Sequence, residues 1–213
     1  MRARETLIWG LALDVRARAR LVGEVYDVAL TDLQIERESL RLDRDKPYVE
    51  VIDGIEIMRT GGSLRHSILH GEMGCILNAW AGARGVAALS LRVWLVTEKP
   101  VTSLVPDVAF VSRERLKGLS EALKELPRFA PDIVAEIRSP EDRERNIARK
   151  IELYLAHGSR LVLDVDPAKR KIFAHDGESV RRYGIGDTFV HDRFADLTFD
   201  VRAFFASADL RRR

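Results

Sequence analysis

Two Pro-Asp pairs, Pro106-Asp107 and Pro131-Asp132, each open a short apolar run, and the second run, DIVAEIRS, carries an acid at Glu136. With the two-residue period of a strand, Ile133, Ala135 and Ile137 share one face, and Asp132, Val134, Glu136 and Arg138 share the other. In PDVAFV the residues Asp107, Ala109 and Val111 share a face. Asp107 starts its strand and Glu136 ends the next. If the two strands pair antiparallel, both acids arrive at the same sheet edge. Adjacent carboxylates repel, so one protonates or the pair binds a cation. Mg²⁺ suits such a pair: it takes one or two carboxylates plus waters and phosphate oxygens, and it can activate a water against a phosphodiester.

The segment after Glu136 adds a cation. Ile147, Ile151, Tyr154 and Leu155 recur at helical spacing and form an apolar stripe. Lys150 falls on the margin of that stripe, with Asn146 one turn earlier on the same edge. A lysine held there, facing a sheet edge with two acids, can stabilise charge on a phosphate or orient an attacking water. Each residue alone has an ordinary structural explanation: a strand glutamate facing solvent, an aspartate opening a strand, a lysine snorkelling off a helix. Their combination, in this order, favours chemistry.

The elements that must position these groups alternate. PYVEVIDGIEIMRT reads as a hairpin turning at Asp53-Gly54. GGSLRHSILHGEMGCILNAWAGARG reads as a helix capped by Ser63, weakened by Gly71 and Gly74 and closed by Gly82 and Gly85. VAALSLRVWLV reads as one long strand, followed by PDVAFV and a polar helical segment, SRERLKGLSEALKEL. The helix bearing Lys150 is expected to open at Ser139-Pro140, with Ser139 as cap and Glu141 and Asp142 at its positive end, and to stop near Gly158. RLVLDVDP and RKIFAHD form a strand–turn–strand with Asp166-Pro167 in the turn, GESVRRYGIGD continues the meander, and DVRAFFASADL closes as a short helix. This order implies a mixed sheet flanked by helices, an α/β (α+β) fold. Residues 1–44 read as an N-terminal extension, partly helical, with ERESLRLDRDK as a solvated face or loop, and residues 45–208 as the main domain.

Bulk properties exclude little but frame the rest. A chain of 213 residues, 46% hydrophobic, supports one substantial core. A net charge of +2 does not mark a strongly basic nucleic-acid binder, although local patches can still serve. The single cysteine, Cys75, excludes an intramolecular disulfide, fits a cytoplasmic location and reads as a small buried residue. The apolar piece LIWGLAL is too short for a membrane span or a signal peptide and is expected to form an amphipathic helix packing on the core or on a second subunit.

Pro106-Asp107, then Glu136 in VAEIRSP, then a helix with Lys150 and Tyr154, then LVLDVDP, resemble the Uma-type putative restriction endonucleases of the PD-(D/E)xK nuclease superfamily. YVEVIDGIEIM resembles the family's Glu-x-x-Asp-Gly hairpin, and SLRHSIL its helix-opening histidine; the resemblance spans roughly residues 45–205. It implies a restriction-endonuclease-like core and a phosphodiester-cleaving centre in which Asp107 and Glu136 bind Mg²⁺, with Mn²⁺ as a substitute. The superfamily's lysine usually lies two residues after the glutamate; here that position is Arg138, which keeps the charge but is no base. Uma-type members supply the lysine from the next helix, where Lys150 matches. Asn146 departs from the aspartate found in many relatives.

Glu50 and His66 stand as supporting candidates, with Arg138 and Asn146. His66 and His70 are spaced to hold a transition metal, but the sequence shows no third ligand. Trp80, Trp94, Phe110 and Phe173 read as core, and Asp164 and Asp166 as strand end and turn. The expected function is Mg²⁺-dependent hydrolysis of DNA by a homodimer with no membrane partner. The phosphate-binding charges would come from RLKGL, RERNIARK or RRY, and no DNA-recognition module is visible. The alternative is a catalytically inactive nuclease-fold module acting in binding or assembly. A hydrolase built on His66 and His70 is a third reading.

Overall fold

In the computed structural model, which describes residues 29–44, 49–59 and 62–209, the first element is helix α1 (Asp32–Asp43). Thr31 and Gln34 cap it reciprocally. Its segment was expected to be a solvated face or loop. Instead Ile35, Ser39 and Leu42 form one buried helical face. They lie against Val51 and Trp94, and Trp94 Nε1 donates to Ser39 Oγ at 3.0 Å. Charges at most of the other positions, with the exposed Leu33 and Leu40 between them, hide a stripe of only three residues.

The hairpin forms as expected. Strands β1 (Val49–Ile52) and β2 (Ile55–Met58) pair antiparallel around Asp53 and Gly54, whose φ of 50° and 79° suit a tight primed turn. Helix α2 (Leu64–Ala81) is capped by Ser63 and runs unbroken past Gly71 and Gly74. It buries Leu69, Met73, Leu77 and Ala81, a stripe that leaves Cys75 off the face, so Cys75 is exposed rather than buried.

The expected long strand VAALSLRVWLV is two strands in different sheets, β3 (Gly85–Leu89) and β4 (Val93–Val96). Ser90, at φ 50°, turns the chain between them, and its amide donates to the Asp107 carbonyl at 2.9 Å. Next come β5 (Thr102–Leu104), β6 (Val108–Ser112), two short helices, α3 (Arg113–Leu116) and α4 (Glu121–Glu125), and β7 (Ile133–Ile137). Helix α5 (Glu144–Ala156) begins later than expected. The residues assigned to its cap form a separate turn, in which Ser139 N donates to Asp142 Oδ2 at 2.6 Å and Asp142 N donates to Ser139 O at 3.0 Å. Then follow β8 (Leu161–Asp166), β9 (Lys171–His175), β10 (Val180–Tyr183), β11 (Thr188–Phe189), β12 (Phe199–Asp200) and α6 (Val201–Ser207).

A six-stranded sheet, β10-β9-β8-β7-β6-β3, is the backbone of the molecule; a four-stranded sheet, β2-β1-β5-β4, packs beside it. β6 and β7 are antiparallel, and β7 and β8 parallel. One face of the large sheet buries Ile133, Ala135 and Ile137 under α2 and α6, with Leu69, Met73 and Phe204. On the other face Val134 and Val162 pack with Ile147, Ile151 and Tyr154 of α5 and with Ile52, Val93 and Leu104 of the smaller sheet. Both faces of β7 are covered, so all five of its residues are buried, Glu136 included. Among the described residues no helix is long and apolar enough to cross a membrane; the LIWGLAL segment lies outside them.

Candidate active site

The antiparallel register of β6 and β7 pairs Val108 with Ala135, so the next rung sets Asp107 beside Glu136. The expected meeting of the two acids at one sheet edge is therefore present. Asp107 Oδ2 accepts the amide of Ile137 at 2.8 Å, and both acids are buried, 2% and 8% exposed. They open into a cleft of about 810 Å³ between the end of β7, the start of α5 and the β1–β2 hairpin.

Lys150 reaches this point from α5. It lies three residues after Ile147 and four before Tyr154, which puts it inside the apolar face of the helix rather than at its margin, 9% exposed. Its Nζ lies 2.8 Å from Glu136 Oε1 and 3.1 Å from Glu50. Glu50 comes from β1, where the alternation of VEVI turns Glu50 and Ile52 toward α5 and Val51 toward α1. Glu50 Oε1 also accepts the Val105 amide at 2.8 Å, which fixes the carboxylate that fixes the lysine. Tyr154 donates its hydroxyl to Glu136 Oε1 at 2.8 Å. Sequence spacing assigned Tyr154 to the apolar stripe, and its ring is there; the polar end doing the orienting is invisible to periodicity.

Asp107 has a second set of neighbours. His66 Nε2 lies 3.6 Å from Asp107 Oδ1, and its Nδ1 lies 3.3 Å from Ser139 Oγ. Gly62 permits this placement, since a Cβ there would stand 2.4 Å from the His66 ring. His70, four residues on along the same helix, bonds through Nε2 to the Asp107 carbonyl at 2.6 Å. Candidate ligand atoms of His66, His70 and Asp107 lie within 4.8 Å of one another, so Asp107 is the third group that the sequence did not reveal. Arg59, which no sequence signal singled out, donates to Asp107 Oδ1 and to the Val105 carbonyl.

Arg138 and Asn146 line the cleft without joining the carboxylates. Arg138 forks onto Asp164 through two bonds of 2.6 Å and reaches Glu144 at 2.6 Å. Asp164 is thus the buried partner of an arginine, beyond the strand-end role expected of it. Asp166 does cap its turn, accepting Lys169 N at 2.9 Å.

Burial acts on each of these groups, and neighbours decide the outcome. Burial pushes Glu136 up to about 7; Lys150 opposes the rise, while Glu50 and Asp107 reinforce it. Burial would also raise Asp107, but His66, Arg59 and the Ile137 amide overcome it and hold the carboxyl below the usual range. For Lys150, burial favours the neutral amine, yet Glu136 and Glu50 win and its pKa rises, so the ammonium persists. His66 is raised by the Asp107 carboxylate.

Residues 35–202 match the Uma2 family of putative restriction endonucleases. The chain belongs to this family. The crystal structure of a putative nuclease from Anabaena variabilis superposes with a TM-score of 0.71, at 22% identity, over 84% of this chain and 99% of that one. The likeness shows a shared fold, the mixed α/β architecture expected from the alternating elements and the nuclease-like core that the family resemblance implies. No curated protein matches the chain. In this Uma2-family chain the basic RERNIARK segment brings Arg143, Arg145 and Arg149 to the cleft wall. Within that segment Arg149 is paired with Asp53 at 2.8 Å and with Glu152 at 3.2 Å; in the other two basic segments Arg115 engages Asp132 and the Gly158 carbonyl, and Arg181 engages Asp192.

Proposed function

We propose that this chain is a divalent-metal-dependent endonuclease that hydrolyses DNA phosphodiester bonds. The observation that carries this reading is Lys150 Nζ at 2.8 Å from Glu136 Oε1, in a cleft that also holds the Asp107 carboxylate. The donor set suits a hard cation. Two buried carboxylates lie side by side at the facing ends of β6 and β7, and burial pushes Glu136 up, with the charges of Glu50 and Asp107 reinforcing the rise against Lys150. Asp107 and Glu136 would hold Mg²⁺ or Mn²⁺, which supplies Lewis-acid polarisation of the phosphate and a water of lowered pKa.

The chain's own residues do the rest. Lys150 remains an ammonium between Glu136 and Glu50 at the cleft, a cation that would stabilise negative charge developing on a phosphate bound there. Tyr154 holds Glu136 in one orientation by its 2.8 Å bond. Arg143 and Arg145 on the cleft wall offer contacts to backbone phosphates without reading sequence, whereas Arg149 beside them forks onto Asp53. Arg138 is held by Asp164 and Glu144, which favours Lys150 over Arg138 as the working cation. A hydrolase centred on His66 and His70 is less favoured, because His70 Nε2 is committed to the Asp107 carbonyl.

Nicking of supercoiled plasmid in Mg²⁺ or Mn²⁺ tests this. Wild type is expected to nick, and Lys150→Ala, folded by circular dichroism, is expected not to. A wild type that binds DNA but leaves it intact in both metals supports the binding-module alternative instead.

A further inference from the structure

Arg59 follows the last residue of β2 and turns into the site. Its guanidinium forks: Nη2 onto Asp107 Oδ1, Nη1 onto the Val105 carbonyl at 2.7 Å. The side chain is 19% exposed and Asp107 3%, so the contact is largely withdrawn from water. The second carboxylate oxygen, Oδ2, is taken by the Ile137 amide. Both oxygens of Asp107 therefore already have protein donors.

The two donors differ in what they can do. Ile137 N belongs to a central strand and is fixed. Arg59 is a side chain beyond a strand end, at the cleft, next to Met58, which is 69% exposed. A divalent ion on Asp107 needs an oxygen at about 2.1 Å. A guanidinium pressed on the same oxygen would repel that ion at close range. Arg59 is also the group best fitted to a new partner, since its planar fork matches a phosphate as well as a carboxylate. Among the three acids Glu50, Asp107 and Glu136, Lys150 serves the Glu50–Glu136 side and Arg59 the Asp107 side.

We propose that Arg59 is a resident counter-ion that closes Asp107 to a divalent metal and leaves it for a phosphate of the nucleic-acid backbone, so that metal loading and substrate binding are coupled. This rests on the nuclease reading above and adds to it a control of the same site. By linkage, DNA raises metal affinity by the factor by which metal raises DNA affinity. Arg59 is a positioning residue here, acting through Asp107.

Mn²⁺ binding, followed by the electron paramagnetic resonance of the free ion, tests the coupling with and without a short DNA duplex. Without DNA, Arg59→Gln is expected to bind Mn²⁺ about tenfold more tightly than wild type. DNA is expected to tighten Mn²⁺ binding in wild type and to do so much less in Arg59→Gln. Mn²⁺ should also raise the melting temperature of Arg59→Gln more than that of wild type, because it supplies the counter-charge that the substitution takes from Asp107. Equal Mn²⁺ affinity in the two proteins, or equal tightening by DNA, overturns the proposal. Should Arg59→Gln fail to melt cooperatively, Arg59→Met, which likewise removes the positive charge from Asp107 Oδ1, replaces it, and Mn²⁺ binding unchanged from wild type would overturn the proposal equally. Asp107→Asn separates the two readings. If it abolishes Mn²⁺ binding while Arg59→Gln leaves binding unchanged, only the Arg59 control fails; if Asp107→Asn binds Mn²⁺ like wild type, the metal-site reading itself fails.

Discussion

Lys150 and Glu136 meet at 2.8 Å although one projects from a helix and the other from a central strand, and Glu50 closes on the lysine from a different sheet at 3.1 Å. A buried ammonium between two carboxylates is costly to break from either side. Removing one partner of a buried pair leaves an uncompensated charge, at a cost of about 3–5 kcal/mol. Lys150→Met is therefore expected to lose nicking and also to lower the urea midpoint of the metal-free protein, with added Mn²⁺ recovering part of that loss. Unchanged stability would mean that Lys150 is not held between the two acids.

Glu136 sets a pH dependence of defined sign. Its folded pKa lies near 7, above the ordinary 4.5, so between those values the folded state binds more protons than the unfolded state. Metal-free stability contributed by this group is intact below about 4.5 and is lost as pH rises toward about 7. Urea titrations across this window should show the fall in wild type, and Glu136→Gln should flatten it. Mn²⁺ competes with the same proton, so binding near pH 6 is expected to release protons, measurable as a buffer-dependent heat in calorimetry.

Arg138 separates position from role. It occupies the superfamily's usual lysine position but forks onto Asp164 and Glu144. Arg138→Met is expected to destabilise the fold, because Asp164 is buried and left unpaired. Nicking per folded molecule should stay within a few-fold of wild type. A loss as complete as that of Lys150→Met, in protein shown to be folded, would return the working charge to Arg138.

The cleft wall has its own signature. Arg145 is expected to contact a phosphate, contributing about one unit or less to the slope of log affinity against log salt. Arg145→Ala should weaken binding of unrelated duplexes to a similar extent and reduce that slope. A change confined to one sequence would contradict a backbone contact.

Much of this site was legible in the chain, for particular reasons. Asp107 and Glu136 were found because strand periodicity fixes faces and the antiparallel register joins the start of one strand to the end of the next. Lys150 was found by its place on a helical stripe, although the stripe understated its burial. The hairpin was legible because Asp-Gly demands one kind of turn. Arg59 was not, since it follows a strand end and its direction depends on tertiary packing rather than on local spacing. The cap at Ser139 misled for a related reason: Asp142 reaches back to the Ser139 amide, and a separate turn delays the helix to Glu144. The long strand failed at Ser90, a lone serine without the Gly, Asn or Asp that usually marks a positive φ, where the chain turns and the amide meets the Asp107 carbonyl.

The most direct measurement is plasmid nicking in Mg²⁺ by wild type, Asp107→Asn and Glu136→Gln, each checked for cooperative melting. Nicking by wild type and its loss in both variants is the predicted result. Nicking that survives in either folded variant would contradict the assignment of this carboxylate pair as the catalytic centre.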